Sequence, residues 1–477
     1  MNRARVFSLV ALAALVVAGG ESAFVRQLMP VAERSAITDT SGRALGLHGF
    51  STAGSAKSSV DGLPRFTEAD LARENADMGT NFVRFLISWR AVEPQPGIYD
   101  QAYLAEVETR VDWFAKQGYH VMLDMHQDLW GTEIVPGMGI GNGAPGWATY
   151  TDGLPIGQHD MWELYYLDAG VIRAFDNFWN TTGTHPELMD HYVNAWKAVA
   201  TQFASNPTVI AYDLMNEPFG GTLQGPAFEA GPLTNLYQQS LDAIRTVDPD
   251  SWACLEPQAM GVNWGLPSGL GVVTDSRPGE ARVAFCPHLY PLAMDLGGGY
   301  SGGSRDMVDA TIASWIGNTK RTAARLGNVP IILGEFGLDT TLPGALDYVD
   351  TVYAQMDGIH AGVAYWSRDN GLWGPYDTDG VTARNLVAAI DRPYLRAVAG
   401  TLQTLSSAPD RLEFSFTPDA AAAAPTELYL PAVGFPHGAA VDGATIAHWD
   451  TSRRILTLDA PGNPAATQNI VVVAADG

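Results

Sequence analysis

The stretch "AYDLMNEPFG", residues 211–220, decides how the fold is interpreted. It begins as a strongly apolar segment and then ends abruptly in Asn216, Glu217 and Pro218. An apolar run of this kind is typical of a strand that is covered on both faces of a parallel sheet. Core packing does not explain why this strand ends on an amide and a carboxylate.

Further β-rich runs occur along the chain, separated by patterns that are apolar at intervals of three and four residues, as in helices. With residues 209–216, the strand runs are 44–50, 82–88, 120–126, 251–258, 282–290, 330–337 and 362–367. The helical patterns include 103–118, 188–205 and 307–327, and Gly118 and Gly327 stand at expected helix C-caps. This alternation predicts an α/β fold, a (β/α)8 TIM barrel with enlarged loops. A doubly wound open sheet is the rival, but no Gly-rich phosphate turn follows its first strand.

The domain organisation follows from changes in these patterns. Residues 24–396 are assigned to the catalytic barrel, with a long insertion at 127–186 after the third strand. Residues 397–477 contain short alternating runs between Ala, Pro and Gly turns, which predict a C-terminal antiparallel β-sandwich. Such a module either binds glycan or lipid or caps the barrel. The capping role is favoured because no solvent-facing aromatic cluster is visible.

Residues 1–23 have the pattern of a signal peptide. Arg3 and Arg5 precede an apolar run at 6–18, and small residues between Ala18 and Ala23 offer a cleavage site. The apolar run is too short to span a bilayer comfortably, so a secreted protein is expected. Cys254 and Cys286 either pair in the oxidising compartment or remain buried as small hydrophobic side chains.

Composition limits the classes of function. With 46% hydrophobic and 17% charged residues the chain can bury a sizeable core, which excludes compositional disorder. The formal net charge of −24 argues against nucleic acid or an anionic membrane surface as the main partner. Neutral or weakly charged substrates are favoured.

Polar residues recur at or near the ends of the predicted strands. They are His48, Arg84, Ser88, His126, Asp128, Asn216, Glu217, Gln258, His288, Tyr290, Glu335 and Trp366. In a (β/α)8 barrel the chemistry lies at the C-terminal ends of the strands, so we expect these side chains to converge on one face. Packing alone does not explain so many polar strand ends.

Glu217 and Glu335 stand at the ends of the fourth and seventh predicted strands, which places them on opposite sides of one barrel mouth. Two facing carboxylates are the minimum equipment for hydrolysis of a glycosidic bond, at about 5 Å apart in a retaining enzyme. Asn216 is suited to bind a sugar 2-hydroxyl. The sequence "HQD" at 126–128 also suggests metal ligands, but no third His or Cys lies at ligand spacing, and no metal or organic cofactor is expected.

The motifs "MNEP" at 215–218 and "GEFG" at 334–337 resemble those of clan A retaining glycosidases, specifically family 5. The resemblance implies that Glu217 is the acid/base and Glu335 the nucleophile. It also implies that Arg84, Asn216, His288, Tyr290 and Trp366 line the subsite of the cleaved sugar.

A narrower resemblance extends over most of the chain. Segments such as "HGFSTAGSAKSS" (48–59), "MHQDLWG" (125–131), "HDMWELYYL" (159–167) and "CPHLYPL" (286–292) are similar to the bacterial endoglycoceramidases. The resemblance implies cleavage of the β-glucosyl bond between an intact oligosaccharide and ceramide, with Lys57, His126, Asp128 and Trp162 contacting the sugars. The expected partner is a glycosphingolipid, with transient contact to a membrane or micelle surface and no nucleic acid. A monomer is expected.

The insertion at 127–186 holds nine aromatic residues and the aliphatic residues Leu129, Ile134, Val135, Met138 and Ile140. These side chains either present a surface to acyl chains or build a small core of their own. Two other functions stay open from the residues alone. One is a β-glucanase that uses the same two glutamates on a soluble polysaccharide, and the other is a glycolipid-binding protein without catalysis.

Overall fold

A computed structural model describes residues 35–52, 54–134, 141–459 and 466–475. The predicted signal peptide and Val135, Met138 and Ile140 lie outside the described residues. After a short strand β1 (Ala44–Leu45), eight parallel strands form the barrel wall: β2 (His48–Ser51), β3 (Phe82–Ile87), β4 (His120–Met125), β5 (Val209–Asp213), β6 (Trp252–Leu255), β7 (Val283–Phe285), β8 (Ile332–Phe336) and β9 (Gly362–Tyr365). They neighbour one another in the order β7-β6-β5-β4-β3-β2-β9-β8.

The barrel closes between β7 and β8. Phe285 forms a parallel bridge with Ile331, and its N–H donates to the carbonyl of Pro330 at 2.9 Å. The predicted (β/α)8 barrel is therefore confirmed. The predicted first run at 44–50 was wrong in extent, because Ala44–Leu45 pairs with a strand of the C-terminal domain and only the segment from His48 onward joins the barrel.

The outer layer of the barrel consists of helices that alternate with these strands. The α-helices are Gly54–Ser58, Glu68–Met78, Trp89–Val92, Gln101–Lys116, Ala169–Phe178, Glu187–Phe203, Pro226–Phe228, Thr234–Arg245, Ala259–Val262, Leu292–Asp295, Gly302–Arg325, Ala345–Gly358 and Asn385–Ile390. Gly118 and Gly327 lie one residue past the caps of their helices, with φ of 73° and 109°. Only a residue without Cβ adopts this left-handed conformation freely, which explains both glycines.

The barrel interior has an apolar floor and a charged layer above it. The floor includes Phe82, Met122, Ala211, Cys254, Ala284, Ile332 and Ala364. Two residues further along four of these strands stand Arg84, Asp124, Asp213 and Glu256, all buried. Successive side chains of a strand alternate between faces, so each charged residue points the same way as the floor residue before it. The charged layer therefore lies toward the C-terminal ends of the strands.

Cys254 and Cys286 form a disulfide with Cα atoms 5.6 Å apart. Cys254 lies on β6 and Cys286 directly follows β7, and the two strands are hydrogen-bonded neighbours. The disulfide therefore links two neighbouring strands at the apolar floor, beneath the charged layer. This resolves the alternative that the sequence left open in favour of pairing.

The C-terminal domain consists of two antiparallel sheets. One has the order β1-β10-β13-β16-β15 and the other β11-β12-β17-β14. The strands are β10 (Tyr394–Val398), β11 (Gly400–Ala408), β12 (Arg411–Pro418), β13 (Thr426–Tyr429), β14 (Ala439–Asp442), β15 (Thr445–Asp450), β16 (Ile455–Asp459) and β17 (Gln468–Ala474). The predicted antiparallel domain is confirmed, and β10 crosses the predicted boundary at 396/397.

The sandwich contacts the N-terminal end of the barrel. The Tyr394 hydroxyl donates to the carbonyl of Gly79, which directly follows a barrel helix and precedes β3. The ring of Tyr394 also stacks on His48, the first residue of β2, at a centroid distance of 4.7 Å. This end is opposite to the one at which the barrel carries its chemistry.

The insertion at 127–186 builds a core of its own against the barrel. Leu129 and Ile134 are buried, as are the aromatic residues Trp130, Tyr165, Tyr166, Phe175, Phe178 and Trp179. Of the two interpretations of this insertion, core formation therefore holds for six of its nine aromatic residues. Among the described residues of the insertion, the exposed large apolar side chains are Tyr150, Met161, Trp162 and Leu167.

Candidate active site

The two glutamates of the predicted catalytic pair share one pocket. Glu335 lies within β8, and Glu217 follows β5 by four residues. One carboxylate oxygen of each lies within 4.8 Å of the other. Their side chains are 13% exposed for Glu217 and 6% for Glu335. The separation agrees with the predicted value of about 5 Å and is that of a retaining rather than an inverting glycosidase.

Both carboxylate oxygens of Glu335 accept hydrogen bonds from buried or half-buried donors. Arg84 Nη1 donates to Oε1 at 2.6 Å and the Tyr290 hydroxyl donates to Oε2 at 2.9 Å. Burial raises the pKa of Glu335, while the charges of His288 and Arg84 oppose that rise. The two donors hold the carboxylate in one orientation and stabilise its ionised form, which a nucleophile requires.

The carboxyl group of Glu217 has a different set of partners. Asn263 Nδ2 donates to its Oε1 at 2.7 Å, and His288 Nδ1 lies 3.0 Å from the same oxygen. Burial opposes a charge on His288, but Glu256 and Glu335 beside it raise the pKa of His288 well above its usual range. A protonated His288 therefore faces both glutamates, 3.0 Å from Glu217 and 3.8 Å from Glu335.

Arg84 is the centre of the charged layer. Its Nε donates to Asp213 at 2.7 Å, and its Nη2 donates to Asn216 and to Glu256, both at 2.8 Å. Nη2 also lies 3.0 Å from Asp124 Oδ1. Burial and the neighbouring charge of Glu256 raise the pKa of Asp213 well above its usual range, although Arg84 opposes this rise.

The described residues contain two groups of three side chains that could hold a metal ion. Within each group, the ligand atoms lie within 4.8 Å of one another. One comprises Glu217, His288 and Glu335, which are the predicted catalytic pair and the histidine that faces both. The other comprises Asp124, Asp213 and Glu256, and the guanidinium of Arg84 already contacts all three. Arg84 thus supplies the positive charge that this second group needs.

A second cluster of predicted site residues adjoins the catalytic pair. Lys57 Nζ lies 2.8 Å from Asp128 Oδ2 and 4.8 Å from the centroid of the Trp366 ring. His126 stacks on the same ring at 5.7 Å, and its Nε2 lies 3.3 Å from Asp128 Oδ2. Burial disfavours a charged His126, yet Asp124 and Asp128 raise the pKa of His126 to about 9. The cluster offers charged donors and acceptors around one aromatic face, which suits a sugar ring.

Trp162 is connected to this network through Tyr166. It is 47% exposed, and its ring makes an edge contact with Tyr166 at 6.1 Å. The Tyr166 hydroxyl in turn accepts from the N–H of Leu129, next to Asp128. Trp162 therefore stands at the outer rim of the mouth.

The expectation for His48 was wrong. It was predicted at the C-terminal end of the first strand, but β2 begins at His48, so its side chain lies at the other end of the barrel. Burial lowers the pKa of His48 to about 3, and its Nε2 lies 3.1 Å from the carbonyl of Ile390. His48 is a packing residue between the rings of Tyr353 and Tyr394.

Sequence reasoning missed several residues that hold the catalytic pair. They are Asp124, Asp213, Glu256, Asn263 and Gln127. For Asp124, Asp213 and Glu256 a signal was available, because each is a charged residue within or directly after an otherwise apolar strand. Asn263 and Gln127 lie in loops, where the sequence carries no such signal.

Two models of known families match this chain. Residues 38–371 match the family described as Cellulase (glycosyl hydrolase family 5). Residues 392–473 match the glycoside hydrolase family 5 C-terminal domain. The two matches cover the barrel and the sandwich separately.

Individual relatives are similar over most of the chain. Endoglycoceramidase I of Rhodococcus hoagii is 31% identical over 419 residues, covering 82% of this chain and 78% of that protein. Endo-glycoceramidase II from Rhodococcus sp., solved in complex with ganglioside GM3, is 58% identical with a TM-score of 0.91, covering 93% of this chain and 100% of that one. The same protein solved as a lactosyl-enzyme intermediate is 59% identical with a TM-score of 0.89 and the same coverage.

Proposed function

The chain belongs to glycosyl hydrolase family 5, and on that premise we propose that it is an endoglycoceramidase. It is a retaining endo-β-glucosidase that hydrolyses the bond between an intact oligosaccharide and ceramide in glycosphingolipids. The observation that carries this function is the shared pocket of Glu217 and Glu335, with one oxygen of each within 4.8 Å of the other. Relatives at 58% and 59% identity that are solved with ganglioside GM3 and as a lactosyl-enzyme support the lipid-linked substrate and the covalent mechanism.

The reaction proceeds in two displacements. In the first, Glu335 attacks the anomeric carbon while Glu217 donates a proton to the oxygen that leaves with ceramide. In the second, Glu217 removes a proton from water, and the water displaces Glu335 from the sugar. The separate partners of the two carboxyl groups support this division, because Arg84 and Tyr290 stabilise a charge on Glu335.

The sugar next to the cleaved bond lies against the cluster of Lys57, His126, Asp128 and Trp366. Asn216 and His288 complete this subsite, and Trp162 lies farther out along the glycan. Charged hydrogen bonds to sugar hydroxyls fix the ring over the catalytic pair. A preference among glycan headgroups depends on the loops beyond this subsite.

Incubation with a mixed panel of glycosphingolipids tests the function. We expect mass spectrometry to detect intact oligosaccharides and free ceramide as the paired products. Shortening of the glycan one sugar at a time would contradict the endo-acting mode. Hydrolysis of a soluble β-glucan without release of ceramide would instead assign the chain as a β-glucanase. If no sugar is released from any substrate, the chain would be a glycolipid-binding protein without catalysis.

We also propose that the chain, acting as a monomer, reaches its substrate through transient contact between the barrel mouth and a membrane or micelle surface. Several loops that follow the barrel strands expose large apolar side chains, namely Val60, Met161, Trp162, Leu167, Leu296, Leu372 and Trp373. The loops share one face because the strands are parallel. None of the described helices is long and apolar enough to cross a membrane. The net charge of −24 favours a neutral lipid surface over an anionic one.

Leu372 and Trp373, 51% and 39% exposed, test this contact. We expect the double variant Leu372→Ser, Trp373→Ser to cleave glycolipid in neutral phospholipid vesicles about tenfold more slowly, since partial burial of the two side chains together contributes about 1–2 kcal/mol. Cleavage of a soluble aryl lactoside should stay unchanged. Val433→Ser and Ile446→Ser, on the exposed surface of the sandwich, are the matched controls. An equal loss of activity on the glycolipid in vesicles and on the soluble lactoside would contradict contact between these side chains and the lipid surface.

We further propose that residues 1–23 direct export of the protein. The support is the order of Arg3 and Arg5, the apolar run and the small residues of the sequence. Expression of the full chain in a secreting host tests this, with N-terminal sequencing of the extracellular protein. Retention of the intact N-terminus inside the cell would contradict it.

A further inference from the structure

Glu256 directly follows β6. It contacts the backbone of Glu217 and also Arg84, which binds Glu335. Glu256 is 1% exposed. Its Oε2 accepts from the backbone N–H of Glu217 at 2.8 Å, and its Oε1 accepts from Arg84 Nη2 at 2.8 Å. The same Oε1 lies 3.2 Å from His288 Nε2. One buried carboxylate thus joins the backbone of one catalytic residue to the side chains that contact the other.

The backbone of Glu217 is held in an uncommon conformation. Its φ is +42°, in the left-handed region that residues other than glycine rarely adopt. Glu256 accepts from the N–H of Glu217, and Gln127 Nε2 donates to the carbonyls of Asn216 and Glu217 at 2.9 and 3.0 Å. Such a conformation persists only where its surroundings fix it. The contacts at the two peptide groups therefore set the direction in which the Glu217 side chain leaves the backbone.

The second oxygen of Glu256 acts on the opposite side of the pocket. This oxygen, Oε1, accepts a hydrogen bond from Arg84, and Arg84 in turn donates to Glu335. His288, which lies beside it, is 3.0 Å from Glu217. A neutral side chain of the same shape cannot serve both sides, because an amide has one acceptor oxygen for the Glu217 N–H and the Arg84 N–H together.

We propose that Glu256 is a positioning residue for general acid/base catalysis, which fixes the backbone of Glu217 so that its carboxyl group reaches the leaving oxygen. This inference rests on the proposed two-carboxylate mechanism. The charge of Glu256 is maintained at working pH: burial disfavours it, but His288 and Arg84 lower the pKa of Glu256 to about 2. A permanent negative charge also favours the protonated form of His288 beside Glu217.

The test compares leaving groups that need the acid with those that do not. In a series of aryl β-lactosides, strongly acidic phenols depart without protonation, whereas weakly acidic phenols depend on Glu217. In Glu256→Gln we expect kcat/KM to fall about 100-fold for the weakly acidic phenols and less than about tenfold for the strongly acidic ones. A plot of log kcat/KM against phenol acidity should therefore be steeper in the variant than in the wild type.

Glu229→Gln is the matched control. Glu229 is a buried glutamate that accepts hydrogen bonds from the N–H groups of Gln258 and Gly269 and from Ser268. Its replacement should lower the melting temperature and leave the dependence on phenol acidity unchanged. A structural role of Glu256 would give the same result as this control.

Glu256→Asp is the second variant, because it keeps the charge and moves it by one methylene. We expect a dependence on phenol acidity between those of the wild type and Glu256→Gln. An unchanged dependence in a folded variant would overturn the proposal, as would failure of both variants to fold, which would assign Glu256 to stability. Wild-type enzyme that hydrolyses aryl lactosides but releases no ceramide would overturn the proposed substrate and leave this test intact.

Discussion

Replacement of Glu335 by glutamine is expected to lower kcat by about four orders of magnitude or more, because the glucosyl-enzyme can no longer form. The amide keeps the shape of the side chain and an acceptor for Arg84 or Tyr290, so the fold and the pocket should persist. Binding of a short-chain glycolipid, measured by calorimetry, should change far less than turnover. A loss of less than about tenfold in kcat would remove Glu335 from the role of nucleophile.

A pair of alanine variants assigns the two roles independently. In Glu335→Ala, added azide can attack from the face that the missing carboxylate occupied, and we expect a glycosyl azide of inverted configuration. In Glu217→Ala, azide meets the glucosyl-enzyme from the other face and should give a product of retained configuration. Nuclear magnetic resonance of the product distinguishes the two anomers. The opposite assignment of configurations would exchange the roles of the glutamates.

Replacement of Arg84 by methionine is expected to lower the free energy of unfolding by about 3–5 kcal/mol and to abolish most activity. Arg84 is fully buried and contacts the carboxylates of Asp124, Asp213, Glu256 and Glu335. Without the guanidinium these acids lose their common positive partner in a site that water does not reach. Arg84→Lys keeps the charge with fewer donors and should lose activity with a smaller loss of stability.

The pH dependence of stability tests whether the charge of Arg84 is what the Arg84→Met variant loses. Arg84 and His288 depress the pKa of Glu256 to about 2, so the stabilisation is present above the ordinary pKa of a glutamate and is lost as the pH falls through about 2. The stability deficit of Arg84→Met should therefore be larger at about pH 7 than at about pH 4, as measured by urea unfolding. A deficit independent of pH would show that packing, not charge, is what Arg84 contributes.

The fold could be predicted because its determinants are local. Strand runs with buried faces and helices with three-four periodicity repeat along the chain, and each pattern reports the structure of its own segment. The predicted strands at 82–88 and 120–126 correspond closely to Phe82–Ile87 and His120–Met125. The strand β10 extends across the predicted domain boundary, because all five residues of Tyr394–Val398 are buried and the segment shows no alternation that would mark the sandwich.

The meeting of Glu217 and Glu335 could be predicted because one topological rule sufficed. Residues at the carboxyl ends of parallel barrel strands must face one mouth, so two strand-end glutamates with family 5 motifs specify a shared pocket. The exposed apolar rim could not be placed in the same way. The sequence suggested the aliphatic residues of the insertion, yet Leu129 and Ile134 are buried, while Leu372 and Trp373 of another loop are exposed.

The sequence by itself determined the barrel, the second domain and the meeting of the Glu217 and Glu335 carboxylates at one mouth, since these depend on local periodicity and on strand order. Only the tertiary structure decided how those carboxylates are held. The link from Glu256 to the Glu217 backbone and to Arg84 joins residues 39 and 172 positions apart. Similarly, the pairing of β1 with β10 moves Ala44–Leu45 out of the barrel. Contacts over such separations depend on the register and closure of the barrel, which no single segment encodes.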